Sequence, residues 1–375
     1  MILSQVVNRI NGNVDRFSTN LLYYIGGEHF ESNELEITKK GIIKDNLGVL
    51  GFKFHFAFQD RDVIFMARNP HLRKAGMVHF SGLCSDASYI LRSKDENVLS
   101  QEYLAILLQS DQFWNYCESH KVGSVNFANN WTSIANYEFD LPPIERQREI
   151  AAKVWAAYEV KESYKNLLTQ TDKLLHAQFY KMFGDETQYR KIADVFTLQM
   201  GKTPSRDIPT YFGDEGHTWL SIADMKEDAI FTSASKEKLT DLAIKDCGIK
   251  IVPCNTVIMS FKLTVGRLAI TNEDLYTNEA IMAFLPKDNS YRTKFVYYLF
   301  QHIQWLGDAK LAVKGNTLNK ESISNILLPI IGIERQDDFL HIAEQAEQTK
   351  ATLNKGIAAI EAVIRSLIAE GTTKI

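Results

Sequence analysis

Only four cysteines occur in the 375 residues, Cys84, Cys117, Cys247 and Cys254. No two stand at CxxC spacing and no histidine cluster flanks them, so zinc and a disulfide framework are not expected, and idle thiols of a reducing compartment are. The nine histidines are scattered, with no HExxH and no i, i+4 pair to hold a catalytic metal. No apolar run approaches the roughly 18–20 residues that span a bilayer. Met1-Ile2-Leu3-Ser4 has neither the charged region nor the long apolar core of a secretory signal, so a cytoplasmic protein is expected. An excess of positive charge is missing too: the chain is net −4. Residues 1–143 carry 13 basic and 16 acidic side chains, 144–185 carry 7 and 6, 186–328 carry 17 and 17, and 329–375 carry 5 and 7. A stand-alone DNA binder usually shows a basic surplus, because phosphate neutralisation dominates affinity. A nucleic-acid partner therefore requires basic surface from other subunits.

Catalytic signatures are equally scarce. Gly201-Lys202-Thr203 resembles the end of a phosphate-binding loop, but Phe196 stands where its first glycine belongs. Pro142-Pro143 lies between Leu141 and Ile144, without the Asn/Asp and aromatic neighbours that hold an amine for methyl transfer. Lys236-Glu237-Lys238 has the tail of a nuclease-type carboxylate–lysine motif, but in a charged run that reads as a solvated face. No GxSxG elbow marks a nucleophile.

What the chain does contain is a duplication. Ile144-Glu145-Arg146-Gln147 recurs as Ile333-Glu334-Arg335-Gln336, 189 positions later, each behind a Leu-Pro. Ser133-Ile134-Ala135-Asn136 returns as Ser322-Ile323-Ser324-Asn325, and Val63-Ile64-Phe65-Met66 echoes in Val257-Ile258-Met259-Ser260. A period this long is a duplicated domain rather than a solenoid of 20–50-residue units. Each copy of the Glu-Arg-Gln motif opens a helical pattern. In 147–183, Ile150, Val154, Ala157, Tyr164, Leu168, Leu175 and Met182 keep three-four spacing, with Gly184 placed as a stop. In the second helix Phe339, Ala346, Leu353, Ile360 and Leu367 repeat every seven, Ile342, Thr349, Gly356 and Val363 fill the alternate position, and Gly371 ends the pattern. Two such helices are predicted to pair as a coiled coil. The segments before them read as strands at 49–56, 257–260 and 267–270, with helices over 102–118 and 293–307. The expected fold is α+β: a strand-rich domain (1–143), a helix (144–185), a second strand-rich domain (186–328) and a second helix (329–375).

Three polar loops stand out at matching places in the halves. They are Lys202, Thr203, Ser205 and Arg206 in a Gly/Pro turn; Lys262, Thr264 and Arg267 with the counterpart Arg68, Asn69, Arg73 and Lys74; and Lys314 and Asn316 with the counterpart Lys121, Ser124 and Asn126. Such side chains bond phosphate, and Arg and Asn can also read guanine and adenine edges in the major groove. Polar turns facing water are the plain alternative, and the recurrence is what favours DNA binding.

The whole pattern resembles the specificity subunit of a type I restriction–modification system. The stretches 141–150 and 328–336 are similar to that family's helix-start motifs, and Gly201-Lys202-Thr203-Pro204-Ser205 to the turn near the start of a target recognition domain. Gly12-Asn13 is the candidate counterpart in the first half. The resemblance implies two target recognition domains, each reading one half of a split, asymmetric double-stranded DNA sequence. It also implies an antiparallel helix pair that fixes the gap. Two modification subunits would carry S-adenosylmethionine and methylate adenine, and two restriction subunits, where present, would use ATP and Mg. The chain itself would hold no cofactor and perform no chemistry. The competing expectations are a coiled-coil scaffold with two protein-binding domains, and a piece of a single-chain restriction–methylation enzyme.

Overall fold

In the computed structural model, residues 1–48, 50–124, 127–226, 229–232, 235–262, 264–305 and 318–372 are described. The chain divides into two compact units, 1–169 with 351–375, and 170–350. Each therefore contains one strand-rich domain and a part of both long helices.

Unit 1 opens with helix α1 (Leu3–Val6) and has eight strands: β1 (Val7–Ile10), β2 (Tyr23–Ile25), β3 (Gly41–Ile42), β4 (Phe54–Phe58), β5 (Val63–Met66), β6 (Ala75–Met77), β7 (Gly82–Ser85) and β8 (Ser88–Ser93). Helix α2 (Ile43–Asn46) follows β3, and α3 (Gln101–Leu107), α4 (Asp111–Ser119) and α5 (Trp131–Ala135) lead to the long helix α6 (Ile144–Phe183). The strands form two sheets, β1-β8-β5-β6 and β3-β2-β7-β4.

Unit 2 repeats this scheme. Its strands are β9 (Tyr189–Lys191), β10 (Phe196–Met200), β11 (Phe212–Leu220), β12 (Glu237–Leu239), β13 (Val257–Ser260), β14 (Leu268–Ile270), β15 (Tyr276–Thr277), β16 (Ile281–Pro286) and β17 (Leu327–Pro329). Its helices are α7 (Ile192–Val195), α8 (Asp241–Cys247), α9 (Thr293–Gln301), α10 (Lys320–Ser324) and the long α11 (Ile333–Thr372). The sheet β10-β16-β13-β14 has the strand order of β1-β8-β5-β6. The parallel pair β11–β15 corresponds to β2–β7. The repeated Ser-Ile motif makes α5 and α10, where the side chains of Asn130 and Asn319 cap the helices by accepting from the Ser133 and Ser322 amides. Ile134 and Ile323 are both fully buried.

Several boundaries differ from the sequence reading. The first strand begins at Phe54, after the turn Gly51–Lys53, and Val49 lies outside the described residues. The 102–118 segment is two helices, because the Ser110 hydroxyl accepts from the Phe113 amide and starts a new one. Helix α9 stops at Gln301, and Gly307 is outside the described residues. Gly371 does not end α11, which runs on to Thr372. A side chain at 371 would meet Ile150 at 2.7 Å, so this glycine permits close approach between helices.

The two long helices run antiparallel in each unit. In unit 1, Ile150 meets Gly371 and the Tyr164 ring lies over Gly356, where a Cβ would come within 2.5 Å of it. In unit 2, Asp172 takes the Lys350 ammonium at 2.7 Å and Phe183 packs on Phe339. The apolar stripe of α11 does not hold strict sevens: Thr349 is exposed and Val363 is 52% exposed, while Ala343, Ile364 and Ile368 are buried. A straight helix drifts about 20° per heptad against a 3.5-residue repeat. Toward its ends α11 also joins the cores of the strand-rich domains, Phe339 and Ala343 in unit 2, Ile364 and Ile368 in unit 1.

All four cysteines are free, with Cys84 and Cys117 buried and Cys254 exposed. Burial pushes the Cys84 thiol up to about 12 and raises Cys117 as well. A thiol reagent at pH 8 should therefore label Cys254 in the native protein and reach Cys84 and Cys117 only in denaturant, read by peptide mass spectrometry. Native labelling of Cys84 at the Cys254 rate would contradict this packing.

Candidate nucleic-acid interface

In unit 2 the polar loops meet around residues 277–280. After β10 the chain must pass tight against β15: a Cβ at Gly201 would sit 2.0 Å from the Thr277 carbonyl, so only glycine fits there. The Lys202 amide donates to Thr277 O (2.9 Å) and the Trp219 indole to Lys202 O (3.1 Å), which fixes the turn. Thr203 bonds the Glu279 carboxylate. From the other side the Phe261 amide donates to Ala280 O at 3.0 Å, bringing up Lys262. The loops 201–206 and 261–267 thus flank one short segment.

Unit 1 builds the same junction with different side chains. The Ala67 amide donates to Ala87 O (2.9 Å), as Phe261 does to Ala280. Asn69 donates to Phe127 O (2.8 Å), and Arg68 and Val122 both bridge to Ala128. The stretches 68–74 and 121–124 are therefore neighbours, although 50 residues apart in sequence. Asn69 and Arg73 both adopt left-handed backbone (φ 54° and 48°) around the turn Pro70–Leu72. An arginine held there costs energy, and such strain is concentrated at functional turns. Gly12 and Asn13 follow β1 as Gly201 and Lys202 follow β10, with Asn13 bridged to Phe56.

The predicted site residues do not all face solvent freely. Arg73 binds Asp111 (2.5 Å), Lys121 binds Glu118 (2.7 Å) and lies over the Phe127 ring, and Arg206 makes a two-bond pair with Glu237, holding that carboxyl below its usual range. Lys74 donates to Gly27 O and Lys202 to Cys247 O. Arg267 turns inward, its guanidinium donating to Ile222 O and Met225 O at 3.2 Å. Arg68 and Lys262 have no acidic partner among the described residues. Ser124, Ser205 and Thr264 are exposed. Asn126, Lys314 and Asn316 lie outside the described residues. The acids Asp111, Glu237 and Glu279 carry nothing in their sequence neighbourhood that marks them as partners of distant loops, whereas Glu118 lies only one turn from Lys121. Among the described residues no group of His, Cys, Asp or Glu could hold a metal ion, and no helix is long and apolar enough to cross a membrane.

Residues 184–362, which comprise the strand-rich domain of unit 2 and most of α11, match the family described as "Type I restriction modification DNA specificity domain". Just under half of the chain, residues 184–362, thus resembles the type I DNA specificity family. It is 30% identical over 113 residues to the type I restriction enzyme MjaIX specificity subunit of Methanocaldococcus jannaschii, covering 30% of this chain and 26% of that one. It is 23% identical over 152 residues to the EcoprrI specificity subunit of Escherichia coli, covering 40% and 37%. The alignments thus span about a quarter to a third of the length of those relatives. Its fold is similar over 99% of the chain, and 96% of the other, to a structure titled for complex assembly and conformational transition of the type I R-M system (TM-score 0.62, 19% identity). It is also similar to the type I S subunit of M. genitalium (TM-score 0.52, 11% identity, 100% and 96% covered). The strand-rich domain of unit 1 lies outside the family match yet shares unit 2's sheet order, caps and parallel strand pair.

Proposed function

We propose that this chain is the DNA-reading subunit of a type I restriction–modification complex. The observation that carries the reading is the duplicated junction of polar loops, built on one scaffold with different side chains, in a chain that resembles the specificity family. Unit 1 offers Arg68 and Asn69 where unit 2 offers Lys262, so the two half-sites differ and the split target is asymmetric. The antiparallel helices set the gap between them as a coiled coil. The chain performs no chemistry. Two methyltransferase subunits bring S-adenosylmethionine, methylate adenine, and supply the basic surface that a chain of net charge −4 lacks. Restriction subunits, where the host has them, add ATP- and Mg-dependent cleavage.

Co-expression with the methyltransferase subunit encoded beside it, followed by mapping of methylated adenines, tests this. A split motif with a fixed gap is the expected result. An intact purified complex that leaves DNA unmethylated overturns it in favour of a protein-binding scaffold. Within the same assay Arg68→Ala should weaken target binding by about 1–3 kcal/mol and relax one base of a single half-site if the guanidinium reads a base edge. Even weakening across all sequences would place Arg68 on phosphate.

A further inference from the structure

We infer that Phe52 is a stacking wedge that enters the base stack of the half-site read by unit 1. The inference rests on the DNA-reading function proposed above and names a specificity-determining residue that the polar-loop reading omits.

Phe52 is 75% exposed and Phe17 65%, the highest values among the chain's large aromatic side chains. A single exposed apolar residue needs no explanation. The segments that carry them are neighbours. The Val14 amide donates to His55 O and the Ala57 amide to Gly12 O, with Asn13 opposite Phe56. That antiparallel register runs the chain after Val14 toward the end of β4 from which Phe52 projects. The turn is open on one side, where a Cβ added at Gly48 or Gly51 would meet nothing within 4 Å, while Leu50 between them packs into the core.

The tip also continues the candidate interface. The Asp86 amide donates to Lys53 O (3.1 Å), Ala67 donates to the adjoining Ala87 O, and Asn69 donates to Phe127 O. Lys53, the residue after Phe52, thus starts a run of three backbone hydrogen bonds that leads to the edge carrying Arg68 and Lys121. Cations stand near both rings: Arg16 lies over Phe17 at 4.4 Å, and Lys53 follows Phe52 in the chain, paired with Asp86 at 3.5 Å. An aromatic ring held out beside cations at a nucleic-acid edge suits insertion at a base step, with phosphates met by the flanking charges. Among the described residues unit 2 has no strand equivalent to β4 beside β15, whose sheet is β12-β11-β15, so the wedge would act on one half-site only.

The test uses the specificity chain assembled with its methyltransferase subunit and a duplex carrying the mapped target. 2-Aminopurine is placed in turn at each step of the half-site, leaving out the adenine that is methylated because methyltransferases extrude that base themselves. The wild-type complex should brighten one position. Phe52→Ala should remove that signal and bind roughly 5- to 100-fold more weakly, with non-specific binding unchanged, and Phe52→Trp should restore both. Phe52→Ala binding within twofold of wild type with the signal kept overturns the inference, as does loss of the methyltransferase subunit on purification. A wild-type complex that prefers no sequence overturns the DNA-reading function itself, a result distinguishable from failure of the wedge alone.

Discussion

Replacing Glu34 by alanine should cost about 3–5 kcal/mol, because it strands a buried charge. Lys161 on α6 reaches the Glu34 carboxylate with its side chain only 4% exposed, and Glu34 is 12% exposed. Lys165, one turn on, donates to the other carboxylate oxygen at 2.9 Å. Burial pulls the Lys165 ammonium down, but the bonds to Glu34 and Glu162 raise it further, so Lys165 remains charged at neutral pH. One carboxylate therefore fastens two lysines of the long helix to the strand-rich domain of unit 1. Chemical denaturation of Glu34→Ala should show a clearly lower midpoint, while Glu34→Gln, which can still accept a hydrogen bond, should lose less. Leucine at 34 together with methionine at 161 should recover most of the loss, since a buried pair replaced as a whole by apolar groups is often neutral. A Glu34→Ala midpoint equivalent to less than 1 kcal/mol would mean that water reaches Lys161 and that the pair adds little.

Much of this architecture is legible in the sequence because duplication makes local signals visible twice. Val63–Met66 and Val257–Met259 are short apolar runs, too short to separate strand from helix on periodicity alone. Their recurrence shows that both belong to a domain core, and both are central strands. The long helices are legible for a different reason: their apolar spacing persists for many turns. The side-chain partners are not legible. The links Arg206–Glu237 and Arg73–Asp111 join residues more than 30 apart, and any of several nearby acids would satisfy the sequence equally. Arg267 was expected to face DNA and instead closes a turn by donating to the carbonyls of Ile222 and Met225, a role set by backbone position that no residue pattern encodes. Phe52 escaped notice because an alternating run around it reads as a strand, where its ring would be half-buried.

The repeated Glu-Arg-Gln motif yields the second large effect, and here sequence identity has a structural cause. Gln147 and Gln336 are both fully buried. The Gln147 carbonyl accepts from the Ser100 amide (3.0 Å), and its amide group donates to Val98 O and Pro142 O (2.8 Å each). The Gln336 carbonyl accepts from the Arg292 amide (2.8 Å), and its amide group donates to Ser290 O and Ile331 O (2.8 Å each). Ser100 and Arg292 are the N-cap residues of α3 and α9. In both units one glutamine thus ties the first turn of a long helix to the start of a domain helix and to the chain entering the long helix. The neighbouring arginines reach the far end of the other long helix: Arg146 pairs with Glu370, and Arg335 with Glu186 and the Met182 carbonyl. Glutamate at 147 or 336 could accept but could no longer donate, and alanine removes all three bonds. Gln147→Ala should cost about 2–4 kcal/mol, since a buried donor and two carbonyls lose their partner at once. Amide hydrogen exchange should speed up over 98–104 in that variant, and over 290–296 in Gln336→Ala. The Arg146→Ala change, at an exposed ion pair, should shift stability far less than Gln147→Ala. If the arginine variant proved the more damaging, the motif would hold the helix pair together rather than anchor each helix to its domain.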